Sequence, residues 1–423
     1  MHLDHAFELL GETPGNVAVL GAATLLAYYA GRGMRRLRLP SIIGYMLVGI
    51  VAGPSLLDLF PGESLHRLGL VTNLSLGFIA VSIGSELRLR SLARLGSGIV
   101  GIILGQALFA FVAVLLGVLL LTGGDWVMAL LLAAMAPATA PAGTVAVIQE
   151  FKAKGNLTQA LYAVVGFDDG LAIVIYAVVV GVAKAIIFNA AGRSDAGWLS
   201  SVLPAFGELG GSLVLGGVLG LLFGFLGRRQ RGTSETLILV VAFSMIATGL
   251  SWMLHLSLIL TNMAIGFVLV NTRTEQAVKR ATEPLRTIMP LIFVMFFCLA
   301  GAHLVLGELG QIGILGVVYV ACRTIGKVVG SSAGAALGPV PDAVRKWTGF
   351  GVLAQAGVAI GLSLLVQDEL ARLAVELKDE SLAEMGTRVV VAITASCFFF
   401  EIVGPICTKF ALQRAGEISE TAS

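Results

Sequence analysis

Runs of roughly 20 apolar residues recur along almost the whole chain, and runs of this length cross a lipid bilayer as α-helices. Only 13% of the 423 residues are charged and 57% are hydrophobic, whereas soluble domains carry about 25% charged residues. The four cysteines all lie in apolar runs, a distribution that favours neither a disulfide framework nor a metal cluster. The composition therefore predicts an all-α polytopic membrane protein, with no cofactor and no nucleic-acid partner.

The apolar runs define thirteen candidate spans. They lie near residues 16–31, 41–57, 69–87, 96–121, 126–148, 157–183, 205–227, 235–253, 256–271, 287–306, 311–336, 348–367 and 388–412. Most of the 28 basic residues lie in alternate loops, at 32–38, 88–94, 152–154, 228–231, 273–286 and 345–346, and at the C-terminal end. By the positive-inside rule, this alternation predicts an outside N-terminus and a cytoplasmic C-terminus, in a bacterial or archaeal cytoplasmic membrane.

An odd number of spans permits an inverted repeat, in which spans 1–6 correspond to spans 8–13 and span 7 is a linker. Span 5 contains Pro137, Pro141 and Gly143, and the prolines predict a break because each lacks a backbone N–H donor. Span 12, the symmetry mate of span 5, has four glycines and Gln355 but no proline. The prediction of a second discontinuous helix crossing the first therefore depends on the symmetry.

Five charged residues remain at membrane depth: Asp168, Asp169, Arg323, Lys327 and Glu401. An ionised aspartate at the bilayer centre costs about 2.5–3.5 kcal/mol on insertion scales, so the adjacent aspartates predict an ion or proton pathway. Arg323 and Lys327 are four residues apart and share one helix face. Arginine stays charged and suits a fixed pair, for example with Glu401, whereas a buried lysine can exchange protons. One aspartate can meet Lys327 while the other faces an aqueous cavity.

Thr139 and Thr144 lie beside the predicted break in span 5. A threonine in a membrane helix commonly donates its hydroxyl to its own backbone. Both residues are therefore either cation ligands or locally bonded side chains.

Several segments in the same order as the predicted helices carry a further signal: LPSIIGYMLVGIVAGPSLL (39–57), APATAPAGTVAVIQEFKAKGNLT (136–158), AVVGFDDGLAIVI (163–175), RTIGKVVGSSAGA (323–335) and LAQAGVAIGLSL (353–364). Together they resemble the monovalent cation:proton antiporters, in the branch of Kef-like and bacterial sodium/proton exchangers. The resemblance implies exchange of Na⁺, or alternatively Li⁺ or K⁺, for protons by alternating access, with a role in pH homeostasis. It also implies that cation and proton compete for Asp169, and that Asp168 pairs with Lys327.

The resemblance further implies a homodimer with two domains in each chain. Residues 1–60 and 205–286 would form the dimerisation scaffold, residues 68–185 and 287–412 the ion-transporting core, and residues 413–423 a short cytoplasmic tail. We therefore expect no nucleotide-binding domain of the kind that Kef-like systems often carry, because the predicted tail is too short for one.

Two other readings of the paired aspartates are possible. A cation (K⁺) channel-like efflux protein would need a continuous pore and would conduct without proton coupling. An intramembrane aspartyl protease also uses two membrane aspartates, but on different helices in YD and GxGD motifs, and neither motif occurs in this chain. The sequence thus favours a transporter rather than an enzyme.

Overall fold

The computed structural model describes residues 13–60, 62–90, 97–191, 199–227, 233–303 and 313–418. Their regular structure is helical: α1 (Thr13–Arg36), α2 (Ser41–Ala52), α3 (Gly62–Glu86), α4 (Gly98–Thr122), α5 (Trp126–Met135), α6 (Pro141–Glu150), α7 (Asn156–Ala190), α8 (Leu199–Leu226), α9 (Thr233–Met253), α10 (Leu258–Thr272), α11 (Glu275–Ala302), α12 (Gly313–Gly334), α13 (Asp342–Gly351), α14 (Gly357–Leu377) and α15 (Glu380–Arg414). The all-α fold is confirmed. Within these ranges, eight helices are long and apolar enough to cross a membrane.

Several helices extend beyond the apolar runs that predicted them. The helix α7 has 35 residues, and α15 also has 35, starting before the predicted span at 388–412. Asp379 starts α15, because its carboxylate accepts a hydrogen bond from the Ser381 backbone N–H at 3.1 Å. The helix α11 begins at Glu275, inside the predicted basic loop 273–286. Hydropathy locates the membrane part of a helix, but caps and polar turns decide where the helix ends. Of the other basic loops, residues 91–96 and 228–232 lie outside the described residues.

The helices α4 and α12 pack backbone to backbone through glycines. A Cβ atom on Gly334 would overlap the carbonyl group of Gly101, and one on Gly330 would overlap that of Gly105. Small residues allow this close approach between membrane helices. The contact fixes the position of Arg323 and Lys327, which are fully buried on α12.

The predicted grouping of helices into domains can be compared with their packing. The helix α3 packs most extensively on α10 and α11, and α11 packs most extensively on α2 and α3. The packing does not test the division into a core and a scaffold, which stays a prediction.

The described part of the C-terminal tail folds back onto the start of α7. The Glu417 carboxylate accepts hydrogen bonds from the backbone N–H groups of Leu157 and Thr158, at 2.6 and 2.7 Å, and from the Thr158 hydroxyl at 2.6 Å. An anion is favourable at a helix N-terminus, where backbone donors have no partner within the helix. The tail therefore caps the helix that carries both aspartates. Residues 419–423 of the predicted tail lie outside the described residues.

Candidate ion-binding site

Two helix breaks meet inside the bundle. Residues 136–140 separate α5 from α6, and residues 352–356 separate α13 from α14. The Ala140 backbone N–H donates a hydrogen bond to the Ala354 carbonyl at 2.9 Å, so the two segments are in direct contact. Pro141 occupies the first turn of α6, where its missing N–H is not needed. The break predicted from the prolines is confirmed, and the proline-free second break is also present.

Asp168 is fully buried and its carboxylate is fully engaged. One oxygen faces the Lys327 ammonium at 3.2 Å and accepts a hydrogen bond from the Thr139 hydroxyl, while the other accepts from the Gln106 side-chain amide. Lys327 also donates to the Pro137 carbonyl and to the Thr139 hydroxyl, each at 2.6 Å. Thr139 thus donates to the carboxylate and accepts from the lysine. This arrangement balances one negative and one positive charge within the protein.

Asp169 lies next to this pair but points in a different direction, because consecutive residues of an α-helix are about 100° apart. Its side chain is 3% exposed, and neither carboxylate oxygen has a hydrogen-bond partner among the described residues. A buried carboxylate is stable only when it binds a proton or pairs with a positive charge. Asp169 is therefore the acid at this site that is open to a proton or a cation.

Arg323 binds both helix breaks at once. Its guanidinium donates hydrogen bonds to the carbonyls of Ala136, Ala138 and Leu353, at 3.0, 2.7 and 2.7 Å. Its planar group also lies over the Phe400 ring, 4.3 Å from the ring centroid. These carbonyls follow the last turns of α5 and α13, where the helix dipole concentrates negative charge. Arg323 thus replaces the backbone donors that a continuous helix would have supplied.

Glu401 does not form the pair that the sequence suggested with Arg323. Its side chain is half-buried, and its carboxylate forms no ion pair or hydrogen bond within the described part of the chain. The prediction was wrong because it counted charges at membrane depth without counting the carbonyls that a helix break exposes. Those carbonyls accept hydrogen bonds from Nε and from both terminal nitrogens of the guanidinium group.

Thr139 and Thr144 have different roles in the structure. Thr139 contacts both members of the buried ion pair, as described above. The Thr144 hydroxyl instead donates to the Gly351 carbonyl at 3.0 Å, and the Thr408 hydroxyl donates to the same carbonyl at 3.1 Å. Thr144 therefore ties α6 to the end of α13, and its hydroxyl is not bonded to the aspartates.

Gln106 is the site residue that sequence reasoning missed. It is fully buried on α4 and reaches Asp168 across the bundle. The available signal was a single amide side chain in the segment GIVGIILGQALF, whose other residues are glycines and apolar residues. A lone polar residue in a membrane helix faces protein or water, but its partner cannot be read from hydropathy.

A cavity of about 1310 Å³ opens at the end of the bundle where α2 and α7 begin. Its lining includes Arg35, Glu86, Glu150, Tyr162 and Arg286. Tyr162 precedes Asp168 by six residues on α7, a rise of about 9 Å along the helix axis. Along α7, the cavity lining thus comes within two helical turns of the aspartates.

Comparisons with known proteins match the chain to one protein family and to solved structures. The family model described as the transmembrane region of sodium/hydrogen exchangers matches residues 21–413. The structure of the sodium proton antiporter MjNhaP1 from Methanocaldococcus jannaschii at pH 8 is similar, with a TM-score of 0.70 and 17% sequence identity, over 96% of this chain and 99% of that chain. An electron-microscopy structure of that antiporter gives a TM-score of 0.73 and 18% identity, over 97% and 100% of the two chains. A search of curated proteins found no match.

Proposed function

The chain belongs to the sodium/hydrogen exchanger family, and we propose that it exchanges a monovalent cation for protons by alternating access, with both cargoes competing for Asp169. The observation that carries this proposal is the Asp169 carboxylate, which is buried and unpaired beside an ion pair that is already neutral. Na⁺ is the expected cation, with Li⁺ and K⁺ as alternatives.

Charge balance supports competition at a single carboxylate. Asp168 is neutralised by Lys327, so the pair of aspartates has one uncompensated negative charge, on Asp169. A proton or a monovalent cation neutralises that charge, and the two cannot do so together. Competition therefore predicts that the apparent affinity for the cation falls as the pH is lowered.

The packing of the helices supports the proposed inverted repeat of spans 1–6 and 8–13. The contact of α3 with α10 corresponds, under that symmetry, to the contact of α11 with α2. The contact of α5 with α7 likewise corresponds to that of α13 with α15. We propose a moving core of α4–α7 and α12–α15, which differs from the predicted core in that α3 and α11 belong to the scaffold, because they pack mainly on α10 and α2. Arg323 would make both broken helices move as one unit.

The remaining features follow from the sequence and the family. We propose thirteen spans in the cytoplasmic membrane of a bacterium or archaeon, with the N-terminus outside, and a homodimer formed through the scaffold. The cavity at the start of α2 and α7 would then face the cytoplasm and supply the inward path for ions.

Proteoliposomes test the exchange directly. Addition of Na⁺, Li⁺ or K⁺ should collapse a preformed pH gradient in vesicles with the wild-type protein, and Asp169→Asn should abolish the response because asparagine carries no charge to exchange. Asp368→Asn is the matched control, since Asp368 is exposed on α14 and outside the site. Full exchange by Asp169→Asn would exclude this residue as the carrier.

The same vesicles separate the antiporter from a channel-like efflux protein. An antiporter couples the cation flux to a proton flux in the absence of an imposed potential. A channel would give cation flux that follows the voltage and leaves the internal pH unchanged.

A further inference from the structure

The side-chain amide nitrogen of Gln106 has hydrogen-bond partners, whereas its oxygen has none among the described residues. Its nitrogen donates to the Asp168 carboxylate and, at 3.1 Å, to the Ile103 carbonyl on its own helix. Its oxygen is buried and has no hydrogen-bond partner in the described ranges. A buried acceptor without a partner costs about 1–3 kcal/mol. Binding a cation or accepting a hydrogen bond at this oxygen would remove that cost.

The free oxygen lies near Asp168, the residue that precedes the free carboxylate of Asp169 in the sequence. Within an amide group the nitrogen and oxygen are about 2.3 Å apart, from the standard C=O and C–N bond lengths. The Gln106 oxygen is therefore within a few ångströms of the Asp168 carboxylate, whose neighbour in sequence is Asp169. Asp169 contributes two further acceptors without partners. A cation bound to the Gln106 oxygen and to Asp169 would use only these free acceptors, and would break no hydrogen bond of Asp168, Thr139 or Lys327.

We propose that Gln106 is a direct ligand of the transported cation, which it shares with Asp169, and that the amide oxygen helps to set the selectivity of the site. This inference rests on the proposed function. A ligand set of one carboxylate and one neutral amide carries a single negative charge, which matches a monovalent cation. A divalent cation would leave a buried positive charge uncompensated. Carboxylate and amide oxygens are the ligands expected for a hard cation that has lost part of its water shell.

The position of Gln106 is well suited to a ligand. The preceding residue, Gly105, packs directly against Gly330 on α12, three residues after Lys327. The amide and the lysine are therefore carried by two helices whose backbones are in contact. A ligand on such a rigid pair of helices is preorganised, and its removal should change ion affinity more than folding.

The test compares Gln106→Leu, which keeps the volume and removes both polar atoms, with Gln106→Asn, which keeps a shortened amide. Cation binding is measured on the purified full chain from the rise in Tm with added Na⁺, Li⁺ and K⁺, and exchange is measured in proteoliposomes. Gln106→Leu should raise the apparent KM for Na⁺ roughly tenfold with the maximal rate within about twofold of wild type, as expected for uniform binding loss. The ratio of the Na⁺, Li⁺ and K⁺ affinities should also change. The KM of Gln106→Asn for Na⁺ should lie between the values for wild type and Gln106→Leu.

Gln367→Leu is the matched control, because the Gln367 amide donates to the Thr387 hydroxyl at 3.3 Å, away from the aspartates. It should leave the KM for Na⁺ unchanged. An unchanged KM in a folded Gln106 variant would overturn the proposal. A lower maximal rate at unchanged KM would overturn it too, since Gln106 would then only position Asp168.

Size-exclusion chromatography identifies variants that do not fold, and Gln106→Asn carries the test if the leucine variant aggregates. Failure of the proposed function has a different signature. A wild-type protein that binds Na⁺ but exchanges no protons would refute antiport, while the binding measurement still decides whether Gln106 is a ligand.

Discussion

Arg323 provides the sharpest test of how the broken helices are held together. Replacing it with methionine keeps an apolar chain of similar length and orphans the carbonyls of Ala136, Ala138 and Leu353. Each orphaned buried acceptor costs about 1–3 kcal/mol, so three should destabilise the fold by roughly 3–6 kcal/mol, since loss of the buried charge recovers part of the penalty.

This free energy converts to a measurable melting temperature. With an unfolding entropy of about 2.1 cal/mol/K per residue, roughly 3–6 kcal/mol corresponds to a fall in Tm of about 3–7 °C for a chain of 423 residues. Thermal unfolding in detergent, followed by intrinsic fluorescence, measures the shift. The Tm of Arg323→Lys should lie between those of Arg323→Met and wild type, because an ammonium is a point charge and cannot reproduce the planar donor geometry of the guanidinium.

Arg414→Met is the matched control for this experiment. Its guanidinium is also near an aromatic ring, 5.2 Å from the Phe410 centroid, but the residue is exposed on α15. A surface substitution of this kind should change stability by no more than about 0.5 kcal/mol. The reasoning is refuted if the Tm of Arg323→Met is the same as that of wild type and of Arg414→Met, instead of about 3–7 °C lower.

Three other substitutions test other parts of the structure. Lys327→Met should destabilise the protein by about 3–5 kcal/mol, because it leaves the Asp168 charge buried without its partner. Adding Asp168→Asn to this variant should restore most of the lost Tm. A double variant with no higher Tm than Lys327→Met would argue against the pair. Glu417→Gln should lower stability by about 1–2 kcal/mol through loss of an anionic cap on α7, measured by thermal unfolding; an unchanged Tm would show that the cap is not needed. Gly334→Leu should prevent folding, which size-exclusion chromatography would show as aggregation. Gly217→Leu should still fold, because a Cβ atom at that position would meet no neighbouring helix or side chain within 4 Å. If the two variants behaved alike, the close packing of α4 on α12 would be refuted.

The sequence determined the class of fold and the first helix break, because both depend on local properties of the chain. Apolar runs must be helical in lipid, since backbone groups there have no water to bond. Pro137 and Pro141 lack an N–H wherever they are placed, so the break between α5 and α6 was predictable. The high cost of charge in a membrane likewise predicted a polar site at Asp168, Asp169 and Lys327, and the structure pairs Asp168 with Lys327.

The tertiary structure decided which of several possible partners each polar group meets. Arg323 and Glu401 lie at similar predicted depths, yet the guanidinium binds carbonyls that exist as acceptors only because two helices are broken. Gln106 reaches Asp168 only because α4 packs beside α7. Hydropathy gives the depth of a residue but not the rotation of its helix or the identity of the neighbouring helix. The rotation of each helix and the identity of its neighbour are set only when the helices pack. They decide that Asp168 is neutralised while Asp169 has no partner.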